Sequence, residues 1–349
     1  MSAGPFLVTG ATGFLGRHLL AALARELPDT LLVVLTRDRS SWERVTWKPE
    51  GMRIAVLEGS IEDSAAWSGA PELDGLRGIF HLAASLVHRR STELDRERGD
   101  IDGAVAMVAL AARHGARMVY VSTSGTVGCS TDPSARPDES APFCEAAVAR
   151  WPYYRGKIEA ERATRAAADA QGVSLVTLRP PVLLGPDDHK AHSTRHIRRF
   201  LDGKLPFVVR GGMHFVDVRD VASALVRAMR HPAPQPVYNL PGHASTIGEF
   251  FAQVGAVAGR RPPRVQLPSG VAWWLATLLR PLHLLPEPTS VEMATHYWGL
   301  SSSHAATDLG HRPRPARETL EDTVRSLGVS AAGAVRDPAR DPRGGPPAT

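Results

Sequence analysis

Cysteine is nearly absent: Cys129 and Cys144 are the only two in 349 residues, and they are not spaced as a CxxC pair. That argues against a disulfide scaffold and a cysteine-rich zinc site, and leads us to expect a reducing, cytoplasmic setting. Long apolar runs are also missing. The most apolar stretch, Val271–Leu279 (VAWWLATLL), is closed by Arg280 and Pro281, far short of the roughly 20 residues a membrane-spanning helix needs. No membrane span is therefore expected. The first reading of 271–286 is a core or pocket-lining helix, and the second is weak interfacial contact with a membrane. The opening MSAGPFLVTG lacks the charged and apolar regions of a secretory signal. Neither sign of charge dominates, with 41 basic against 36 acidic side chains. The small positive balance suits an anionic cofactor or substrate, whereas nucleic-acid binding would need a concentrated basic stripe. Clusters such as Arg195–Arg199 (RHIRR) are short and read as one solvated helix face.

What the chain does have is alternation. Phe6–Thr9, Leu31–Thr36, Arg53–Glu58, Gly78–Leu82, Met118–Ser122 and Ser174–Arg179 are short apolar runs without helical spacing, and predict strands. Between them Phe14–Leu27, Glu93–His114 and Trp151–Gln171 carry helical patterns. Such alternation predicts an α/β fold, a Rossmann-type doubly wound parallel sheet covered by helices on both faces. Residues 1–180 are expected to form mainly the dinucleotide-binding domain. Residues 181–330, with many proline-broken loops, are expected to form mainly a smaller substrate-binding region, with 214–240 returning to the core sheet. Residues 331–349 (AAGAVRDPARDPRGGPPAT) lack apolar periodicity and read as a disordered tail.

The strongest local signal is Val8-Thr9-Gly10-Ala11-Thr12-Gly13-Phe14-Leu15-Gly16, which follows one predicted strand and opens a helix. Gly10 allows a tight turn, Gly13 a close backbone approach to a pyrophosphate, and Gly16 close packing of helix and sheet. The free N–H groups and positive dipole end at Phe14, Leu15 and Gly16 then suit the phosphates. The second strand ends Thr36-Arg37-Asp38-Arg39. An acid at this point would bind the ribose 2′-hydroxyl, and an arginine a 2′-phosphate. Arg37 and Arg39 therefore favour NADP(H), while Asp38 keeps NAD(H) open.

Near the end of the fifth predicted strand runs Val121-Ser122-Thr123-Ser124-Gly125-Thr126-Val127-Gly128, and about thirty residues later Tyr153-Tyr154-Arg155-Gly156-Lys157 opens a helix. Tyr153 and Lys157 are four apart and share a helical face. A phenol with a pKa of about 10 is a poor acid–base catalyst near neutrality, and an adjacent ammonium would stabilise its phenolate. Tyr153 could then deliver a proton to the alkoxide that forms as a carbonyl accepts hydride, with Ser124 hydrogen-bonding the same oxygen.

Taken together these motifs resemble the extended, atypical short-chain dehydrogenases: dihydroflavonol reductases, 3β-hydroxysteroid dehydrogenases and NAD-dependent epimerase/dehydratases, including hopanoid-associated sugar epimerases. The resemblance covers roughly residues 5–328. It also rests on His81-Leu82-Ala83-Ala84, Leu178-Arg179-Pro180-Pro181, Gly185-Pro186, Phe215–Ala222 (FVDVRDVA), Ser301-Ser302-Ser303 and Leu309-Gly310-His311-Arg312-Pro313. It implies Ser124, Tyr153 and Lys157 as the catalytic triad, with Lys157 also gripping the nicotinamide ribose. Ala83 and Ala84 would pass beside the cofactor, Ile61 would lie near the adenine, Pro180 near the carboxamide, and pairs of chains would dimerise through helices. Three departures stand out. Asp100-Ile101-Asp102-Gly103-Ala104 replaces an NVxGT-like run, Gly59-Ser60-Ile61 replaces a Gly-Asp, and a dihydroflavonol-reductase-like register would select Thr123 instead of Ser124.

Sugar-nucleotide dehydratases of this group carry an Asp-Glu pair beside the catalytic threonine, and the matching positions here are Gly125-Thr126. The first expectation is therefore an NADPH-dependent reductase of a small-molecule ketone or aldehyde. The alternative is an NAD-dependent sugar or sugar-nucleotide epimerase, which the stretch 185–212 supports by its resemblance to the hopanoid-associated group. A non-catalytic dinucleotide-binding protein is the third. No metal is expected: Asp187, Asp188, His189, His192 and His196 read as a loop and a polar helix. Trp273, Trp274, Tyr297 and Trp298 are expected in the core, or lining an apolar substrate pocket.

Overall fold

A computed structural model describes residues 4–83, 93–191, 193–280 and 285–328, with the backbone alone for 93–97. The expected tail, 331–349, lies outside these residues. Seven parallel strands form the central sheet: β1 (Phe6–Thr9), β2 (Leu31–Thr36), β3 (Arg53–Glu58), β4 (Gly78–His81), β5 (Arg117–Val121), β6 (Leu175–Arg179) and β7 (Val237–Asn239). Their spatial order is β7-β6-β5-β4-β1-β2-β3. The order reverses between β1 and β4, whose residues Phe6–Thr9 and Gly78–His81 run side by side. In open α/β sheets ligands bind beyond the carboxyl ends of the strands at this reversal.

The strands read as unbroken apolar runs because both faces are covered. Val8, Leu32, Val34, Phe80 and Val119 face one side, where they pack with buried residues of α1 (Phe14–Glu26) and α4 (Val218–Arg230). Their neighbours Leu7, Val33, Ile79, Met118 and Tyr120 face the other, under α2 (Glu93–His114) and α3 (Pro152–Gln171). Alternation of side chains at period two thus feeds two separate cores from the same short strands.

The chain divides into two compact units. Among the described residues, one comprises those within 4–183, 212–244 and 296–313; the other comprises those within 184–211, 245–295 and 314–328. The second unit has its own small core of Phe207, Val209, Ala272, Ala276 and Val291. Its helix Ile247–Ala258 starts with a capping box formed by Thr246 and Glu249. Among its candidate metal ligands, Asp188 accepts hydrogen bonds from the Ser193 and Thr194 amides and the Thr194 hydroxyl, each at 3.0 Å. That carboxylate organises the turn before helix Arg195–Leu201; His192 lies outside the described residues. No helix among the described residues is long and apolar enough to cross a membrane.

Phe80 sits at the centre of the sheet with no solvent exposure, edge-to-face with Phe6 at 5.8 Å. Phe80→Ala is expected to lower the unfolding free energy by about 3–5 kcal/mol, measured by urea denaturation followed through far-ultraviolet circular dichroism.

Candidate active site

The glycine turn closes immediately after β1. Gly10 has φ +72°, and a Cβ there would lie 2.8 Å from the Ala83 amide nitrogen, so only glycine lets the turn lie against the exit of β4. The other tight position is Gly16, where a Cβ would come within 2.3 Å of the Gly10 carbonyl oxygen and 2.7 Å of Ala11. Gly16 thus lets α1 pack closely on the turn. Gly13 is the helix N-cap, with no side-chain cap and no acid in the first turn. The amides at the start of α1 therefore form a positive helix end with no acidic side chain in its own first turn, a fit for a dinucleotide pyrophosphate. Thr12 and Phe14 are half-buried, Leu15 is buried, and the Phe14 ring meets His18 edge-on at 5.6 Å.

Thr9 and His81 pin the two strand ends together. The Thr9 hydroxyl oxygen accepts the Leu82 and Ala83 amides at 3.2 Å each, which leaves its own proton for His81 Nδ1 at 2.8 Å. His81 is buried and stacks on Tyr120 at 5.7 Å. Burial first, and the charge of Lys157 second, push its pKa down to about 3. Ala83 follows directly, and Ala84 lies outside the described residues.

At the end of β2 the two basic candidates diverge. Arg39 donates to the Val56 carbonyl at 2.7 Å, which commits it to the β3 backbone. Arg37 is exposed at the strand end. Asp38 caps the short helix Arg39–Glu43, accepting the Ser40 amide at 2.9 Å and the Ser41 hydroxyl at 2.7 Å. Those serine bonds, with Arg44 nearby, hold its pKa at about 2. Ile61 is half-buried, and its side chain packs against Gly103 of α2, where a Cβ would come within 2.7 Å.

Helix α3 begins at Pro152, whose fixed φ and missing N–H suit a first helical position, and stops at Gly172 in the left-handed conformation. Tyr153, Lys157, Glu161 and Arg165 follow one another at four-residue spacing on one face. Tyr153 is 47% exposed, but the setting of its hydroxyl still raises its pKa to about 12, through desolvation first and the negative charge of Asp100 second. Lys157 is buried, and desolvation lowers its pKa against the opposing pull of Asp100. The residue standing where the family has Asn is therefore an anion felt by both Tyr153 and Lys157.

Glu161 was not anticipated from the sequence. Its carboxylate is fully buried and accepts the Ser122 hydroxyl at 2.6 Å, the Arg165 guanidinium at 2.6 Å and the Arg179 guanidinium at 2.6 and 3.0 Å; the Thr126 hydroxyl lies at 3.4 Å. Ser122 and Thr126 flank Ser124, and Arg179 precedes Pro180, whose carbonyl accepts the Ser124 amide at 2.9 Å. One carboxylate thus ties α3 to the ends of β5 and β6. The signal available in the sequence was an acid one turn beyond Lys157 on a face that must point inward.

Ser124 opens a single turn of 3₁₀ helix, Ser124–Thr126, and is buried. Thr123 caps that turn by accepting the Gly125 amide at 3.3 Å and is half-buried. A Cβ at Gly125 would lie 2.1 Å from the Tyr154 ring, so no acidic side chain fits at that position. Tyr154 in turn lies 5.0 Å from Tyr153 and 4.7 Å from Trp298, and Trp298 and His296 flank Trp151 at 5.7 and 4.9 Å. Trp298 therefore belongs to an aromatic cluster beside Tyr153. Trp273 and Trp274 are exposed, which corrects the expectation that they lie in the core.

The model of the NAD dependent epimerase/dehydratase family matches residues 6–240. The chain belongs to that family. It is an NAD(P)-dependent enzyme of the extended short-chain dehydrogenase type, and a nicotinamide dinucleotide is the cofactor class of the family and fold. A Synechocystis relative whose name proposes a dihydroflavonol 4-reductase is 29% identical, covering 91% of this chain and 93% of its own. The 4-hydroxy-2-methyl-3-oxo-4-farnesyl-3,4-dihydroquinoline-1-oxide ketoreductase of Stigmatella aurantiaca is 27% identical over 94% of this chain and 98% of its own. Among solved structures, a nucleoside-diphosphate-sugar epimerase from Pseudomonas aeruginosa has the same fold, with TM-score 0.74 and 21% identity over 93% of this chain and 97% of that one.

His81 predicts an acid-side loss of stability in this family member. The unfolded chain protonates a histidine near pH 6.5, whereas the folded protein keeps His81 neutral down to about 3. Between those values the unfolded state binds more protons, so stability falls as pH is lowered through the window. The urea midpoint should drop more steeply from pH 7 to pH 4.5 in the wild type than in His81→Asn.

Proposed function

We propose that the protein reduces the carbonyl of an apolar ketone or aldehyde with NADPH, through Tyr153, Lys157 and Ser124. The observation that carries this reading is Tyr153, which holds its proton with a pKa near 12 on the same helical face as buried Lys157. A reductase needs that proton in place before the reaction starts. Bound NADPH would supply the hydride. As the carbonyl carbon takes it, Tyr153 Oη donates its proton to the carbonyl oxygen, and the Lys157 ammonium stabilises the phenolate left behind. The Ser124 hydroxyl hydrogen-bonds the same oxygen and holds it in place. The cofactor would lie across residues 10–16 and reach Ala83, Lys157 and Pro180.

NADPH is favoured because Asp38 caps a helix and a basic side chain, Arg37, stands exposed at the end of β2, where a 2′-phosphate would lie. Elimination chemistry is disfavoured by the Tyr154 ring against Gly125. An apolar substrate is supported by the aromatic cluster beside Tyr153 and by the farnesylated quinoline named for the Stigmatella relative.

Two measurements test the reading. In a fluorescence titration NADPH should bind reversibly and more tightly than NADH. Arg37→Ala should weaken NADPH about 10- to 100-fold, the worth of a charge-assisted hydrogen bond, and leave NADH unchanged. Tighter NADH binding would overturn the arginine assignment, NAD retained through purification would favour the epimerase, and no binding of either would overturn the reading. In a carbonyl screen Tyr153→Phe should lower kcat about 10²- to 10⁴-fold with nucleotide binding intact. Ser124→Ala should cost about 10²- to 10³-fold; the same loss in Thr123→Val, with Ser124→Ala active, would move that role to Thr123.

A further inference from the structure

The second unit carries an apolar patch that its own core does not use. Helix Ser269–Leu278 buries only its two small residues, Ala272 and Ala276, against Phe207, Val209 and Val291. The large ones point the other way: Trp273 is 46% exposed, Trp274 58%, Val271 48% and Leu278 57%. The strand just before it, Val265–Leu267, adds Val265 at 53%. Tryptophan is highly buried on average in folded chains, and a large exposed apolar patch marks an interaction surface.

The charge around the patch says what kind of surface it meets. From Phe250 to Pro286 the sequence has no Asp or Glu, while Arg260, Arg261, Arg264 and Arg280 fall within it. Arg280 pairs with Glu287 at 3.2 Å; Arg260, Arg261 and Arg264 are exposed and make no ion pair among the described residues. Exposed tryptophans on a stretch of chain that carries exposed arginines and no acidic residue of its own match the two layers of an anionic bilayer surface. The indole rings suit the headgroup boundary, where an apolar body and a polar N–H are both satisfied. The guanidiniums suit the lipid phosphates above it.

We propose that Val265–Leu278, with Arg260, Arg261 and Arg264, docks this protein on the surface of an anionic membrane, the helix lying in the interface without crossing it. The ten-residue helix is about 15 Å long, half the thickness of a bilayer core. The site would give an enzyme of apolar carbonyls access to substrate dissolved in lipid. Its binding rests on this patch alone and stands whether or not the proposed reduction is correct.

The test is sedimentation of the full chain with vesicles of phosphatidylcholine, alone or with 30% phosphatidylglycerol, together with tryptophan fluorescence. Binding is expected on the anionic vesicles, with a blue shift, quenching by brominated acyl chains, and release at high salt. Trp273→Ser/Trp274→Ser should abolish the shift and the quenching. Arg260→Glu/Arg261→Glu/Arg264→Glu should weaken anionic binding at least tenfold, since each basic residue near such a surface contributes about 1 kcal/mol. Both variants should bind dinucleotide as the wild type does, which shows them folded. Absence of vesicle binding by the wild type, binding that survives both variants, or a sedimentation-equilibrium dimer that the tryptophan variant dissociates would each overturn the proposal, the last by assigning the patch to a second copy.

Discussion

The buried carboxylate of Glu161 is the constraint from which the geometry of the candidate active site follows. A bare buried carboxylate would cost several kcal/mol, and Glu161 is compensated by two guanidiniums and the Ser122 hydroxyl, each at 2.6 Å. Each partner comes from a place that matters. Arg179 ends β6 just before Pro180, Ser122 follows β5 just before Thr123 and Ser124, and Glu161 itself stands one turn after Lys157. Breaking such a pair by removing one partner costs about 3–5 kcal/mol. The register between the tyrosine helix and the hydroxyl-bearing turn is therefore sensitive to the loss of any one partner. Phe143 closes the network, its ring lying 5.5 Å from the Arg179 guanidinium and 6.0 Å from that of Arg165.

Above this clamp the electrostatics are set by exclusion of water. His81, Tyr120, Tyr153 and Lys157 all have pKa values moved toward the neutral form, and desolvation is the leading cause in each. Asp100 acts on the same groups from α2, favouring the ammonium of Lys157 and the protonated phenol of Tyr153. Both states are the ones a proton donor to a carbonyl oxygen requires before turnover. A neutral Asn at that position could hydrogen-bond but could not bias either equilibrium by charge.

Much of this was legible from residue order alone. The strand positions came through because a parallel strand covered on both faces must be apolar throughout, and β1, β2 and β3 ended where their runs ended. Ends that depend on long-range bonds were less legible: Leu82 and Ser122 read as strand, yet each serves a loop, Leu82 through its amide on Thr9 and Ser122 through its hydroxyl on Glu161. Trp273 and Trp274 were misplaced because hydrophobicity says that a side chain avoids water, not which apolar phase it will find.

The sequence by itself determined the family, the parallel sheet, the glycine turn and the spacing of Tyr153 and Lys157. All of these are set by short-range rules: side-chain period along strand or helix, and the φ values that only glycine reaches. Tertiary structure alone decided that Asp38 is a helix cap, that Arg39 belongs to β3, that Gly16 packs on the turn and that Glu161 joins three elements. Those outcomes depend on which backbone groups are left without partners once the strands have paired, and in the central sheet that pairing sets Phe6 beside Gly78, far along the chain.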